Sequence, residues 1–166
     1  MSRTSLSALY TRAFEIPLSS EADRDLFLSV LRGAAEVEGM HVDATSKEEL
    51  EREARASPNF QMTMHAAVWR GSNDDEAVAS AMDQFDHLGQ VWLMFSKGED
   101  PAMAGRFRER AMHDIMFHWP STLSLPVTPT GVIPLHRDLI RTPSGYAVKP
   151  SEAHKYDLAV TETGPH

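Results

Sequence analysis

The chain has 166 residues, is 42% hydrophobic and 24% charged, carries a formal net charge of −8 and contains no cysteine. That length suits one domain burying roughly 70% of its unfolded surface, and the lack of cysteine excludes disulfides, thiolate metal sites and a cysteine nucleophile. The charge is uneven: residues 36–100 hold 14 of the 24 acidic side chains against five basic ones, whereas residues 1–35 balance at zero and residues 101–166 come to +1. Such a middle, net −9, repels phosphate backbones and attracts basic partners or cations, which argues against a nucleic-acid binder. No run of about 18 apolar residues suggests a membrane span. No basic stretch followed by an apolar core suggests a signal peptide. A cytoplasmic protein is expected.

Taken in chain order, Leu6, Leu9, Tyr10, Ala13 and Phe14 recur at helical spacing and predict a short amphipathic helix over 5–15. A strand over Tyr10 to Ile16 is the alternative, but it would set Arg12 on the apolar face. A second helix starts at Ser19 or Ser20, with Glu21, Asp23 and Asp25 near its positive end. Leu26, Val30 and Ala34 form one apolar row, Phe27, Leu31 and Ala35 the next, and Gly39 suits a left-handed C-cap. Gly33 inside this helix suggests a close helix contact.

Met40 to Ala44 reads as a short strand. Thr45 and Ser46, each followed three residues later by a glutamate, open a charged helix over about 46–56 with only Leu50 and Ala54 to bury. Residues 60–69 alternate as a half-buried strand. A turn at 71–74 leads to a helix with the stripe Val78, Ala81, Met82, Phe85 and Leu88, ended by Gly89. Val91 to Phe95 is a continuous apolar run, as in a strand covered on both faces. Asp100-Pro101 opens a helix over 101–118.

After Pro120 the chain is punctuated by Pro126, Pro129, Pro134, Pro143 and Pro150. Leu139 to Thr142 and Tyr146 to Val148 flank Pro143-Ser144-Gly145 as a hairpin. Residues 161–166 read as a disordered tail. The expected architecture is α+β, with α/β as the alternative. A small central sheet is flanked by about five helices in a core domain over 1–120, and a β-rich, proline-punctuated appendage over 121–166 packs on the core or on a partner.

No catalytic or cofactor motif stands out. His113, Asp114 and His118 lie on one helix, and Asp114 and His118, four apart, can touch; a carboxylate beside an imidazole can orient a general base. His113 and His118 sit about 140° apart around the helix and cannot readily share a metal, so a surface pair is the simpler use. Asp83 and His87 share a face on the expected fourth helix, beside Asp74, Asp75, Glu76 and Asp86. No calcium-loop spacing is present.

His136-Arg137-Asp138-Leu139 matches the kinase catalytic-loop string. Pro143 stands where that loop needs asparagine, and the other kinase motifs are missing; an exposed charged turn is expected instead. Ser96-Lys97-Gly98, between a buried strand and a helix, is the best-placed ligand loop on topology alone. It lacks the glycines of a phosphate loop. Arg106, Arg108 and Arg110 read as a solvated helix surface. Nine methionines suggest an adaptable core. Trp69 and Trp119 are read as exposed interface anchors, and Glu48, Glu49 and Glu51 as an exposed acidic face.

These features favour a non-catalytic module, of the accessory, adaptor or inhibitor type, that binds another protein, a basic one or a second copy of itself. No metal or cofactor is expected. The alternative is a small hydrolase or transferase using a His/Asp pair. An enzyme should gather His113 or His118 with His65, His87 or the Ser96 loop in one pocket, and a binding module should leave them scattered.

Overall fold

The computed structural model describes residues 10–56, 62–70, 76–84 and 89–156. Helix α1 (Glu21–Val37) starts where Ser20 accepts a hydrogen bond from the Asp23 amide, and Glu21 and Asp23 lie in its first turn. Its buried side is Phe27, Leu28, Leu31, Ala34 and Ala35, one residue further round than the sequence suggests, which leaves Leu26 largely exposed. Helix α2 (Lys47–Ala56) follows Ser46, whose hydroxyl accepts from the Glu49 amide. Helix α3 (Pro101–His118) is capped by Asp100, which accepts from the Met103 amide, and buries Ala104, Phe107, Ala111 and Ile115.

The strands are β1 (Tyr10–Ile16), β2 (Met40–Ala44), β3 (Met62–Arg70), β4 (Ala77–Gln84), β5 (Val91–Ser96), β6 (Leu123–Leu125), β7 (Leu139–Thr142) and β8 (Gly145–Val148). They form one eight-stranded sheet in the order β2-β3-β4-β5-β1-β6-β8-β7. Every pairing is antiparallel except β6 with β8. Where that pair meets, Gly145 has φ 149° and a Cβ there would lie 2.5 Å from the Ser124 carbonyl oxygen, so only glycine fits.

The expected small sheet with about five helices is corrected by this eight-stranded mixed sheet. Among the described residues there are three α-helices. Two expected helices are strands. The first is β1, within the 5–15 segment, whose residues 5–9 lie outside the described range. The register of β1 on β5 shifts between Tyr10 and Arg12. A bulge there changes the parity of the strand, so Arg12 reaches solvent while Tyr10 and Ala13 pack on the same cluster. The second is β4. Its residues Ala77 to Ala81 are all buried, because both faces of the sheet are covered there, and the alternation that marks a strand is lost. Phe85 and Leu88 of the expected stripe lie outside the described residues, as does the expected tail.

Both α1 and α3 pack on one face of the sheet. There Ile16, Ala66, Val68, Ala81, Leu93 and Phe95 meet Phe27, Leu31, Phe107 and Ile115 in the main core. On the opposite face Ala13, Trp92 and Met94 meet Leu125 and Leu139, with Ile133, Tyr146 and Val148 packed around them. Residues 123–148 thus add three strands to the sheet and cover its second face. A 3-10 turn, Pro150–Tyr156, which the sequence reading lacks, closes the described chain. Gly33 makes no close helix contact, since a Cβ built there meets nothing within 4 Å. No described helix is long and apolar enough to cross a membrane.

Candidate functional site

One polar cluster gathers beside a cavity at the N-terminus of α1. A cavity of about 260 Å³ lies between the start of α1, His65 on β3, Asp83 on β4 and the chain entering β5, with Leu18, Phe27, Leu28 and Val91 as its apolar wall. The β3–β4 register shifts between Met64 and Ala66, and the bulge turns His65 toward β4. Its Nε2 lies 3.2 Å from Asp83 Oδ2. That contact lacks the alignment of a hydrogen bond, and Nε2 is out of solvent contact. On the other side, Arg24 Nε donates to His65 Nδ1 at 3.3 Å, and Arg24 Nη2 donates to the Thr45 carbonyl at 2.7 Å. An Nδ1 that accepts from arginine assigns the ring proton of the neutral imidazole to Nε2. The lone pair a general base would need is therefore already engaged.

A second polar cluster lies on the other face of the sheet. Glu15, 6% exposed, stands opposite Trp92 across β1 and β5. Trp92 Nε1 donates to Oε2 at 3.1 Å, and the Tyr146 hydroxyl donates to Oε1 at 3.0 Å. His136 brings Nε2 to 3.8 Å from Oε2 and packs its ring against Tyr146 and Trp92. Burial, and secondarily the bond to Glu15, raises the Tyr146 hydroxyl above the usual tyrosine pKa. Both carboxyl oxygens are engaged, so Glu15 is a buried polar group satisfied by its partners.

Nearby, His136-Arg137-Asp138 forms a 3-10 turn. It is not the exposed charged turn expected, because Asp138 is buried. Its carboxylate accepts from the Tyr156 hydroxyl and lies 3.4 Å from Lys155 Nζ. The Tyr156 bond, with Lys155 adding to it, holds the Asp138 carboxyl below the usual aspartate pKa.

The Ser96-Lys97-Gly98 loop is filled from within. Glu76 Oε2 accepts from the Glu99 amide at 2.8 Å, and Arg70 Nε donates to Glu76 Oε1 at 2.9 Å. A Cβ on Gly98, whose φ is 62°, would lie 2.9 Å from that carboxylate. An internal anion thus occupies the amide pocket a ligand would need. Ser96 is buried and donates to the Ala77 carbonyl at 3.1 Å, while Lys97 is exposed.

The remaining sequence candidates do not converge. His113 is 84% exposed and touches Asp114, its chain neighbour, at 3.2 Å. Both line an open groove between α1 and α3, away from the His65 cavity. His118 is exposed and rests against Phe117 and Trp119, not Asp114. His87 lies outside the described residues, as do Asp74, Asp75 and Asp86. Among the described residues no group of three or more His, Asp or Glu could hold a metal ion.

The two tryptophans are corrected as surface anchors. Trp69 is 2% and Trp119 7% exposed, and Trp119 packs edge-on against Phe27 in the core. Arg106 is not simply solvated, since it grips the Glu38 carboxylate with Nε and Nη2. Glu48, Glu49 and Glu51 are exposed, as expected of an acidic face. Large apolar side chains do reach solvent elsewhere: Phe117 at 78%, with Met116 and Val37.

Sequence reasoning missed the Arg24–His65–Asp83 line and the Glu15 cluster. Both join residues across strands that helical spacing had hidden. No family model, curated protein or solved structure matches the chain.

Proposed function

We propose that the chain is a non-catalytic protein-binding module whose acidic surface receives a basic partner. One observation carries this reading: His113, His118 and the Ser96 loop do not meet His65, and in its own cavity the His65 ring already accepts from Arg24. His113 stands on an open helix surface. The ring of His65 gives its lone pair to Arg24. Glu15 and Glu76 each have both carboxylate oxygens in hydrogen bonds. A hydrolase or transferase needs a nucleophile and a base within reach of one another, and no described pair meets that need.

The charge distribution points to the partner's chemistry. Segment 36–100 is net −9, and on α2 the acidic residues Glu48, Glu49 and Glu51 face solvent. Such a surface steers a basic protein by long-range attraction, which salt screens beyond about 8–10 Å at 0.1–0.15 M. Exposed Phe117, Met116 and Val37 offer apolar contact area.

The test is capture from the native host on immobilised protein, followed by binding kinetics with the captured partner across salt concentrations. The partner should be basic at the contact surface, its on-rate should fall as salt rises, and Glu48→Lys/Glu49→Lys/Glu51→Lys should slow association without changing the melting temperature much. A salt-independent on-rate with full-strength binding by the charge-reversed protein would reject the reading.

A further inference from the structure

We propose that the cavity at the N-terminus of α1 binds a free α-amino acid with an apolar side chain, taking its carboxylate at Arg24 and its ammonium at Asp83. This stands beside the protein-binding reading and does not depend on it.

The fold leaves two charges underused. Arg24 is half-buried, yet its hydrogen bonds go to neutral acceptors, His65 Nδ1 and the Thr45 carbonyl. Among the described residues no carboxylate pairs with it, and Nη1 is not engaged. Asp83 is also half-buried. Among the described residues its one polar contact is His65 Nε2 at 3.2 Å, which is not aligned as a hydrogen bond. Charges withdrawn from water normally find opposite charges or several hydrogen bonds. Here the imidazole stands between the two and keeps them from pairing with each other. The cavity therefore presents a cation and an anion on one wall.

The complement of such a wall is a zwitterion. A simple anion at Arg24 would leave Asp83 beside a like charge, and a simple amine at Asp83 would leave Arg24 beside one. A molecule carrying both charges on groups bonded to one carbon satisfies each. The orientation follows from α1, whose N-terminal amides carry partial positive charge and favour the carboxylate. The apolar part of the ligand has a place too, against Leu18, Phe27 and Val91. At about 260 Å³ the cavity is smaller than the roughly 300–1,000 Å³ typical of drug-sized ligands, which suits a single amino acid.

The test is titration calorimetry on the full chain with L-leucine, L-methionine and L-phenylalanine, alongside leucinamide and N-acetyl-leucine. At least one zwitterion should bind saturably, and each singly charged analogue should bind at least about tenfold more weakly, as expected when one charge-assisted contact is lost. Asp83→Asn, which keeps the side chain's shape, should weaken binding by a similar factor without lowering the melting temperature. Amide shifts on titration should centre on residues 18–28, 65, 83 and 89–91. Absence of saturable binding by all three amino acids would overturn the proposal. So would equal binding of leucine and either blocked analogue, which would assign the cavity to a simple anion or a simple cation. Full-strength binding by a natively melting Asp83→Asn protein would overturn it as well.

Discussion

On one face of the sheet α1 and α3 bury Phe27, Leu31, Phe107 and Ile115 against an apolar layer of five strands. On the other, the C-terminal segment closes over a smaller cluster of Ala13, Trp92, Met94, Leu125 and Leu139, flanked by two buried carboxylates, Glu15 and Asp138. The first face is held mainly by apolar area and responds to lost volume. The second depends on phenol and indole donors meeting carboxylates at fixed positions, Tyr146 and Trp92 on Glu15, Tyr156 on Asp138. A carboxylate buried without its donors is costly, so this polar set ties the last third of the chain to the sheet. It is sensitive to chemistry where the helix face is sensitive to size.

The largest effect should come from the helix face. Leu31→Ala, at a fully buried position, should lower stability by about 2–5 kcal/mol in a urea melt. Leu50→Ala on α2, half-buried at the edge of the fold, should cost clearly less. The reverse ranking would mean that the core is misplaced.

Next comes Glu15→Gln, which preserves shape and changes only hydrogen bonding. Its amide oxygen can accept from one donor, but its NH2 group then faces the other. The expected loss is about 1–3 kcal/mol. A change within experimental error would show that the second face is not held by this carboxylate.

Tyr156→Phe should cost a similar or smaller amount and should also change the acid limb of stability. The folded Asp138 carboxyl is held below its ordinary value, with Tyr156 the largest cause. Its contribution is therefore present above the ordinary aspartate range, about pH 4, and is lost as pH falls through the lowered folded value. The wild type should lose stability over that acid window, and Tyr156→Phe should lose less there. Parallel pH profiles for the two proteins would contradict this assignment. The smallest effect is favourable: Gly33→Ala, with open space around the new methyl, should raise stability by up to about 1 kcal/mol.

Helix signals in the sequence were legible where capping and periodicity agreed. Ser20 and Asp100 marked the starts of α1 and α3, and β2 and the β7–β8 hairpin were read to within a residue. The failures share one cause. β1 carries a bulge and β4 is buried on both sides, so neither shows the alternation by which strands are recognised. That error hid the site as well. With β4 read as a helix, Asp83 pairs in imagination with His87, four residues on; in the sheet it meets His65 across β3. With β1 read as a helix, Glu15 has no visible relation to Trp92 or to Tyr146, which approaches from 131 residues away. The Ser96 loop follows β5 and precedes α3, but no local pattern reveals that Glu76 folds back to fill it.

The most direct test of the two-face account is hydrogen exchange by mass spectrometry on the full chain, wild type against Glu15→Gln. In the wild type, peptides covering Leu139–Thr142 and Gly145–Val148 should be protected, as members of the same sheet as β1 and β5. In Glu15→Gln those peptides should exchange faster while peptides from α1 and α3 keep their protection. Unprotected C-terminal strands in the wild type, or acceleration by the same factor on both faces, would contradict the account.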